Sequence, residues 1–255
     1  MRPDSAFLRI VPVGALSPSE WDEVWQLTCR FYDADRAYVE ATLRGHQQLA
    51  LFRSRADGGL VGMAAIQVDA FEFQGRRVAI IFTSHSVLEE RYRGQNLIQR
   101  AGMRTWLRCW LRHPWHRKFW VYDTFSYKSY WLLPRNLRTF WPRRDEPTPA
   151  WDAALMEHYG RWKYQEAWRG GVIARSPHKR LLPQTAQLTP ELLRDPHLAF
   201  FAAANPGFRD GDMLLCLCPL TFTNWCSIVS HAVRRALRNR KAGVAVAAER
   251  PDAKG

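Results

Sequence analysis

Val78-Ala79-Ile80-Ile81-Phe82, then Thr83-Ser84-His85-Ser86, then Val87-Leu88-Glu89-Glu90-Arg91-Tyr92-Arg93-Gly94-Gln95-Asn96 is the stretch whose reading decides the fold. The apolar run reads as a buried strand, the polar step as its end, and the charged segment with one glycine as an abrupt loop. From Leu97 to about Arg112 the pattern is helical. A strand, a short basic loop and a helix start form a recurrent phosphate cradle, because N–H groups of the first helical turn point at the ligand and the helix dipole favours its charge. Arg91 and Arg93 add formal positive charge at the same place.

Working outward, the chain predicts a mixed α/β order. Phe7 to Val13 reads as a strand, and Ser17-Pro18-Ser19-Glu20 as a helix start with serine cap, proline at the first position and glutamate at the third. A second short helix covers Ala37 to Leu43. Gln48 to Arg53, Leu60 to Phe73 and Arg76 to Ser86 read as an antiparallel meander turned at Asp57-Gly58-Gly59 and Gln74-Gly75. After the loop and its helix comes a strand from Lys118 to Thr124.

That order resembles the GNAT superfamily of acyl-CoA-dependent N-acyltransferases. The family signature is Gln or Arg, two residues, Gly, one residue, then Gly or Ala, and Arg91-Tyr92-Arg93-Gly94-Gln95-Asn96 stands in its place, with the apolar Leu88 five positions before Arg93. Asn96 departs from the pattern, although asparagine tolerates left-handed and cap conformations. The resemblance implies a mostly antiparallel sheet with a splayed parallel pair, here Arg76 to Leu88 and Lys118 to Thr124, and an acyl-CoA co-substrate held by Leu88, Arg91, Arg93, Gly94, Gln95, Asn96 and Leu97. It covers roughly Phe7 to Trp141.

Acyl transfer to an amine needs a base for the ammonium, donors for the thioester oxygen and an acid for the leaving thiolate. His85, near the end of the strand entering the loop, is the candidate base. The family often carries a tyrosine acid in the helix after the later strand, spaced Asn, two residues, Ala, three residues, Tyr. Asp123 to Tyr130 fits that spacing loosely, which makes Tyr130 the acid candidate and Tyr127 its reserve.

The remainder is read on residues alone. Residues 1–141 form the acyl-CoA-binding core; residues 142–241 are a helical insert and a strand–helix completing the same domain; residues 242–255 form a disordered tail. Trp151 to Trp168 reads as an aromatic-rich helix, Ser176 to Pro190 as irregular, and Asp195 to Ala204 as a helix. His158 and Tyr159 are possible acceptor contacts, with core packing as the competing reading. Met213 to Val233 holds 21 residues without a formal charge, long enough to span a bilayer. Its pattern breaks into a buried strand, Met213 to Leu220, and a helix repeating Trp225, Ile228, Val229, Ala232, Val233, Ala236 and Leu237, with Thr223 or Asn224 as cap, so no transmembrane segment is expected.

The 255 residues are 47% hydrophobic with 12 tryptophans, a globular composition. The five cysteines lack zinc-site spacing, so no metal is expected, and Cys216 and Cys218 read as a buried reduced pair on one strand face. With no signal-peptide pattern between Met1 and Ser19, a cytoplasmic location is expected. The 37 basic against 24 acidic residues, a formal +13, imply an anionic partner. Arg100, Arg104, Arg108 and Arg112 make one basic stripe on the helix after the loop, while Leu97, Ile98, Ala101, Trp106 and Trp110 read as its apolar face. An acidic acyl carrier protein as alternative donor suits that stripe. A nucleic-acid-binding protein on the same scaffold is the reading from another class, against which aromatics and basic residues are not interleaved in any nucleic-acid motif.

Overall fold

The computed structural model describes residues 5–174, 179–181, 188–228 and 230–231. Its central element is an eight-stranded sheet in the order β1 (Ala6–Pro12), β3 (Gln48–Ser54), β4 (Leu60–Phe73), β5 (Arg76–Leu88), β6 (Arg117–Thr124), β10 (Met213–Pro219), β8 (Val172–Ile173) and β7 (Trp168–Arg169). Every neighbouring pair is antiparallel except β5 and β6. Before the last strand the helices are α1 (Pro18–Cys29), α2 (Arg36–Arg44), α3 (Leu97–Arg112), α4 (Tyr127–Asn136), α5 (Ala150–Tyr164) and α6 (Pro196–Ala204), among the described residues. This mixed, mostly antiparallel sheet with one parallel pair and flanking helices is the architecture expected from the sequence.

Local chemistry accounts for the elements that frame the loop. Ser17 and Glu20 close a reciprocal capping box at the start of α1, with Pro18 in the first turn. Gln74 and Gly75 both take positive φ, 48° and 70°, which turns β4 into β5 in two residues. Ala50, Phe52, Ala64 and Ile66 meet Leu97 and Ala101 of α3, whereas Leu49, Leu51, Met63 and Ala65 cluster with Val24 and Leu27 of α1 and Val39 and Leu43 of α2. Val78, Ile80 and Phe82 of β5 join Phe119 and Val121 of β6 beneath Leu155, Met156 and Tyr159 of α5. A Cβ on Gly62 would lie 2.7 Å from Leu88 Cδ1 and from the Val87 carbonyl oxygen, so only glycine lets the end of β5 lie this close to β4.

Several expectations are corrected. The buried stripe of α3 is Leu97, Ala101, Thr105 and Cys109; Ile98 and Trp110 are 41% and 46% exposed, because the helix is apolar on two sides and the sheet covers one. Helix α5 ends at Tyr164, and Trp168 belongs to the hairpin β7–β8. Its ring packs against Gly160, where a Cβ would stand 2.5 Å from it. Within the stretch expected to be irregular, β9 (Lys179–Leu181) pairs with β2 (Tyr32–Ala34). The helix after β10 begins at residue 222 and is capped by Thr221, whose Oγ1 accepts the Asn224 N–H at 3.3 Å. The buried Asn224 side chain binds the chain at Arg138, Thr139 and Pro219 instead of capping. Val229, residues 232–237 and the expected tail 242–255 lie outside the described residues. Cys216 and Cys218 are fully buried free thiols, and burial pushes both well above the usual thiol range. No helix among the described residues is long and apolar enough to cross a membrane.

Candidate functional site

Strands β5 and β6 pair from Val78 with Arg117 to Thr83 with Tyr122, and no further. Beyond that point β5 continues to Leu88 along β4, while Asp123 and Thr124 of β6 continue along β10. The parallel pair therefore opens after Thr83, and each strand presents an edge of backbone donors and acceptors to the gap.

The opening coincides with a β-bulge. Ala65 pairs with Ser84 but Met63 pairs with Val87, so β5 carries one residue more than β4 across this step. His85 occupies the bulge in a left-handed conformation, φ 49°. That conformation costs a non-glycine residue about 1–2 kcal/mol and is held only where the surroundings over-determine it. They do so through hydrogen bonds. His46, in the turn after α2, places Nδ1 2.9 Å from the Thr42 carbonyl oxygen and Nε2 2.9 Å from Ser84 Oγ, which in turn lies 3.0 Å from His85 Nδ1.

The chain has one consistent proton assignment for neutral rings. A carbonyl only accepts, so His46 Nδ1 carries the proton and its Nε2 accepts the Ser84 hydroxyl hydrogen. Ser84 Oγ then accepts from His85 Nδ1–H, which leaves His85 Nε2 as the position able to take a proton. His46 and Ser84 are buried and His85 is half-buried. His46 also stacks on Phe82, with centroids 5.8 Å apart.

At the top of β5 the loop closes tightly. Glu90–Tyr92 forms a single 3₁₀ turn, Gly94 takes φ 85° and Asn96 takes φ 57°, the left-handed cap geometry that asparagine tolerates. A Cβ on Gly94 would meet nothing within 4 Å, so the constraint there is the backbone angle. No side chain caps α3, so the N–H groups of its first turn, from Leu97 on, have no intrahelical partner. Tyr92, Leu88 and Leu97 are buried under the loop, and Gln95 Oε1 accepts the Ala6 N–H at 3.0 Å, tying the loop to β1. Arg91 and Arg93 are exposed and lie 3.1 and 3.6 Å from Glu89 and Glu90. These four side chains cancel formally, so attraction for an anion rests on the amides and the helix start more than on the two arginines.

Helix α5 reaches the same region. Tyr164 donates to Asp123 Oδ2 at 2.9 Å, Tyr159 donates to Asp69 at 2.8 Å, and Lys163 donates to Gln67 at 2.8 Å with its ammonium 4.0 Å from the Phe82 ring centre. Burial lowers Lys163 below the usual amine range and raises both tyrosines, with Asp123 adding to the rise at Tyr164. His158 is exposed beside Phe71 and Phe73, on a cleft of about 380 Å³ between β4 and α5.

The sequence-derived site residues are thus divided. Leu88, Arg91, Arg93, Gly94, Gln95, Asn96 and Leu97 share the loop, and His85 stands below them in the opening. Tyr130 is wholly buried among Phe140, Phe200 and Phe201, and its hydroxyl donates to the Pro142 carbonyl oxygen at 3.1 Å. Burial raises that hydroxyl far above the ordinary phenol range. Tyr127 opens α4 just beyond the end of β6 and is also buried, 7% exposed, so the two tyrosines differ in that the Tyr130 hydroxyl is bonded to Pro142. Sequence reasoning missed His46, Ser84 and Tyr164 as site residues, and read Asp123 only as the first position of the tyrosine spacing. A glycine–histidine turn ending an amphipathic helix was the one local signal for His46, and the others are brought together only by strand register.

No protein-family model and no curated protein matches this sequence. Among solved structures, an acetyltransferase of Trypanosoma brucei is 19% identical with a TM-score of 0.37, over 57% of this chain and 99% of that one. A GNAT family N-acetyltransferase of Escherichia coli, solved in complex with CoA, is 18% identical with a TM-score of 0.34, over 47% and 62%. A conserved protein of unknown function from Enterococcus faecalis, described as a probable N-acyltransferase, is 18% identical with a TM-score of 0.35, over 51% and 33%. The chain therefore spans a third of the Enterococcus protein and less than two thirds of the E. coli one.

Proposed function

We propose that this chain is an N-acyltransferase that moves an acyl group from a CoA thioester to an amine. The observation that carries the reading is the departure of β5 from β6 after Thr83, opening beside a glycine loop and an uncapped helix start, with His85 held in the bulge. In this reading the amides of Gly94, Gln95, Asn96 and Leu97 take the pyrophosphate, Leu88, Arg91 and Arg93 flank it, and the pantetheine arm lies along the free edges of the two strands.

His85 Nε2, itself a buried atom, takes a proton from the acceptor ammonium through a water. The free amine attacks the thioester carbonyl carbon, its nitrogen passes a second proton to solvent, and the C–S bond breaks as the tetrahedral oxyanion collapses to the amide. The thiolate then takes a proton from an acid. We assign that acid to Tyr127 in preference to Tyr130, whose proton is donated to Pro142. Ser84 and His46 position His85 by fixing its tautomer.

Titration calorimetry with CoA tests the cofactor half of this reading. Gly94→Val should leave the fold intact, at a cost of about 1–2 kcal/mol for the left-handed angle. It should weaken CoA about a hundredfold, the equivalent of one or two charge-assisted hydrogen bonds. Equal affinity in parent and variant would remove the assignment. Thiol release from acetyl-CoA across a panel of amines tests the transfer itself.

A further inference from the structure

Helix α3 has a second face that the acyl-transfer reading does not use. Leu97, Ala101, Thr105 and Cys109 turn towards the sheet. On the opposite side Met103, Leu107, Trp110 and Leu111 follow one another at helical spacing and are 41, 48, 46 and 64% exposed. Along the flank of that apolar strip run Arg100, Arg104, Arg108 and Arg112, all exposed. Helix α3 contains no acidic residue, and among the described residues none of the four arginines is in an ion pair. Three such like-charge pairs at four-residue spacing oppose the helix by about 1 kcal/mol together.

The surface continues past the end of the helix. Trp115, in the turn into β6, and Phe222, after β10, are each 83% exposed. Phe222 stands on the rim of a groove of about 600 Å³ whose walls include Trp106, Trp110, Leu220 and Trp225, and Trp106 packs on Trp225 with centroids 4.5 Å apart. Exposed apolar side chains this large, along α3 and at the groove that shares Trp110 with it, mark an interaction surface and not a solvated one.

We propose that this face docks peripherally on an anionic lipid bilayer. A basic stripe beside a strip of tryptophan, leucine and phenylalanine is the composition of a helix lying in the headgroup plane: guanidinium groups meet lipid phosphates while the rings enter the acyl boundary. Two rings standing almost wholly clear of the protein suit an interface that deforms around them. A duplex would meet the arginines yet leave the central Met103–Leu107–Leu111 strip against water. The inference stands apart from acyl transfer, which uses the other end of α3.

Co-sedimentation with phosphatidylcholine vesicles, with and without phosphatidylserine, tests it on the full chain. Binding should require phosphatidylserine and fall with salt. The Arg104→Glu/Arg108→Glu variant should lower partition at least about twentyfold. The Trp115→Ser/Phe222→Ser variant should lower it about tenfold. All four positions are exposed, so circular dichroism and CoA titration should match the parent, which keeps a failure here distinct from a failure of the acyltransferase reading. Absence of vesicle binding, or binding that neither variant weakens, overturns the proposal. So does arginine-dependent binding of duplex DNA or an acidic carrier protein by a chain that ignores vesicles. A dimer in sedimentation velocity that Trp115→Ser/Phe222→Ser dissolves, again without vesicle binding, would assign the face to a second copy and equally overturn it.

Discussion

Strands β5 and β6 are one pair with two characters. From Val78 to Thr83 they are hydrogen-bonded to each other, and Ile80, Phe82, Phe119 and Val121 fill the space beneath α5. From Ser84 onward they part, and the residues that gather are a serine, two histidines, an aspartate and a tyrosine. Where the ladder is complete, backbone polar groups are satisfied internally and side chains are free to be apolar. Where it stops, the strand edges need partners, and the side chains around them are polar and bonded to one another. A site of this kind is made by ending a pairing, with little new structure added.

The comparison breaks first at the paired half. Ile80→Ala removes a fully buried side chain and should cost about 2–5 kcal/mol in urea unfolding. CoA affinity of the folded fraction should stay unchanged. A variant that loses CoA binding in proportion to stability would mean that the two halves are not separable.

At the splayed half the pattern reverses. His85→Ala should lower turnover about a hundredfold and flatten the acidic limb of the rate–pH profile, with CoA affinity and urea midpoint nearly constant. Ser84→Ala should lower turnover less, because it frees the tautomer of His85 but leaves the ring in place. Full rates in both variants across pH would remove the base assignment.

Tyr130→Phe sharpens the boundary between packing and chemistry. It leaves the buried Pro142 carbonyl without its donor, for a stability loss of about 1–3 kcal/mol, and turnover should hold. The opposite outcome, turnover lost with stability kept, would return the acid role to Tyr130.

The smallest effect belongs to Lys163. Burial lowers its folded pKa below the unfolded 10.5, so between the two values the unfolded chain binds more protons and stability rises with pH. Lys163→Met should abolish that alkaline rise in thermal melts recorded from neutral pH to above 10.5, and an unaltered slope would assign it to another group.

The β1-to-β6 frame was legible because its signals are local. The capping box at Ser17, the Gln74-Gly75 turn and the apolar run before the loop each act within a few residues. What escaped depends on distant partners. Strand β2 needs β9, some 145 positions later, to be a strand at all. Helix α3 carries enough apolar residues for two faces, so periodicity alone could not choose Leu97–Ala101–Thr105–Cys109 over Ile98 and Trp110. His46 is 38 residues from Ser84, and only the register of β5 brings them within 2.9 Å. The glycine loop was visible in the residues; the hydrogen-bonded histidines were not.

The single extra residue in β5 works like a frameshift in the strand's reading of inside and outside. Above it, Val87 packs with Met63 in the α1–α2 cluster and Leu88 packs under α3. Ironing the bulge flat, with His85 paired into the ladder, would bring Ser86 opposite Met63 and move Val87 opposite Gly62, exchanging the two faces for everything that leads into the loop. The kink that aims His85 and the parity that seats Gly94 above the opening are thus one event. A lineage could replace the histidine side chain, or delete the position, and keep Val87 and Leu88 on their faces, but it could not draw that residue into the ladder without turning the end of β5 inside out.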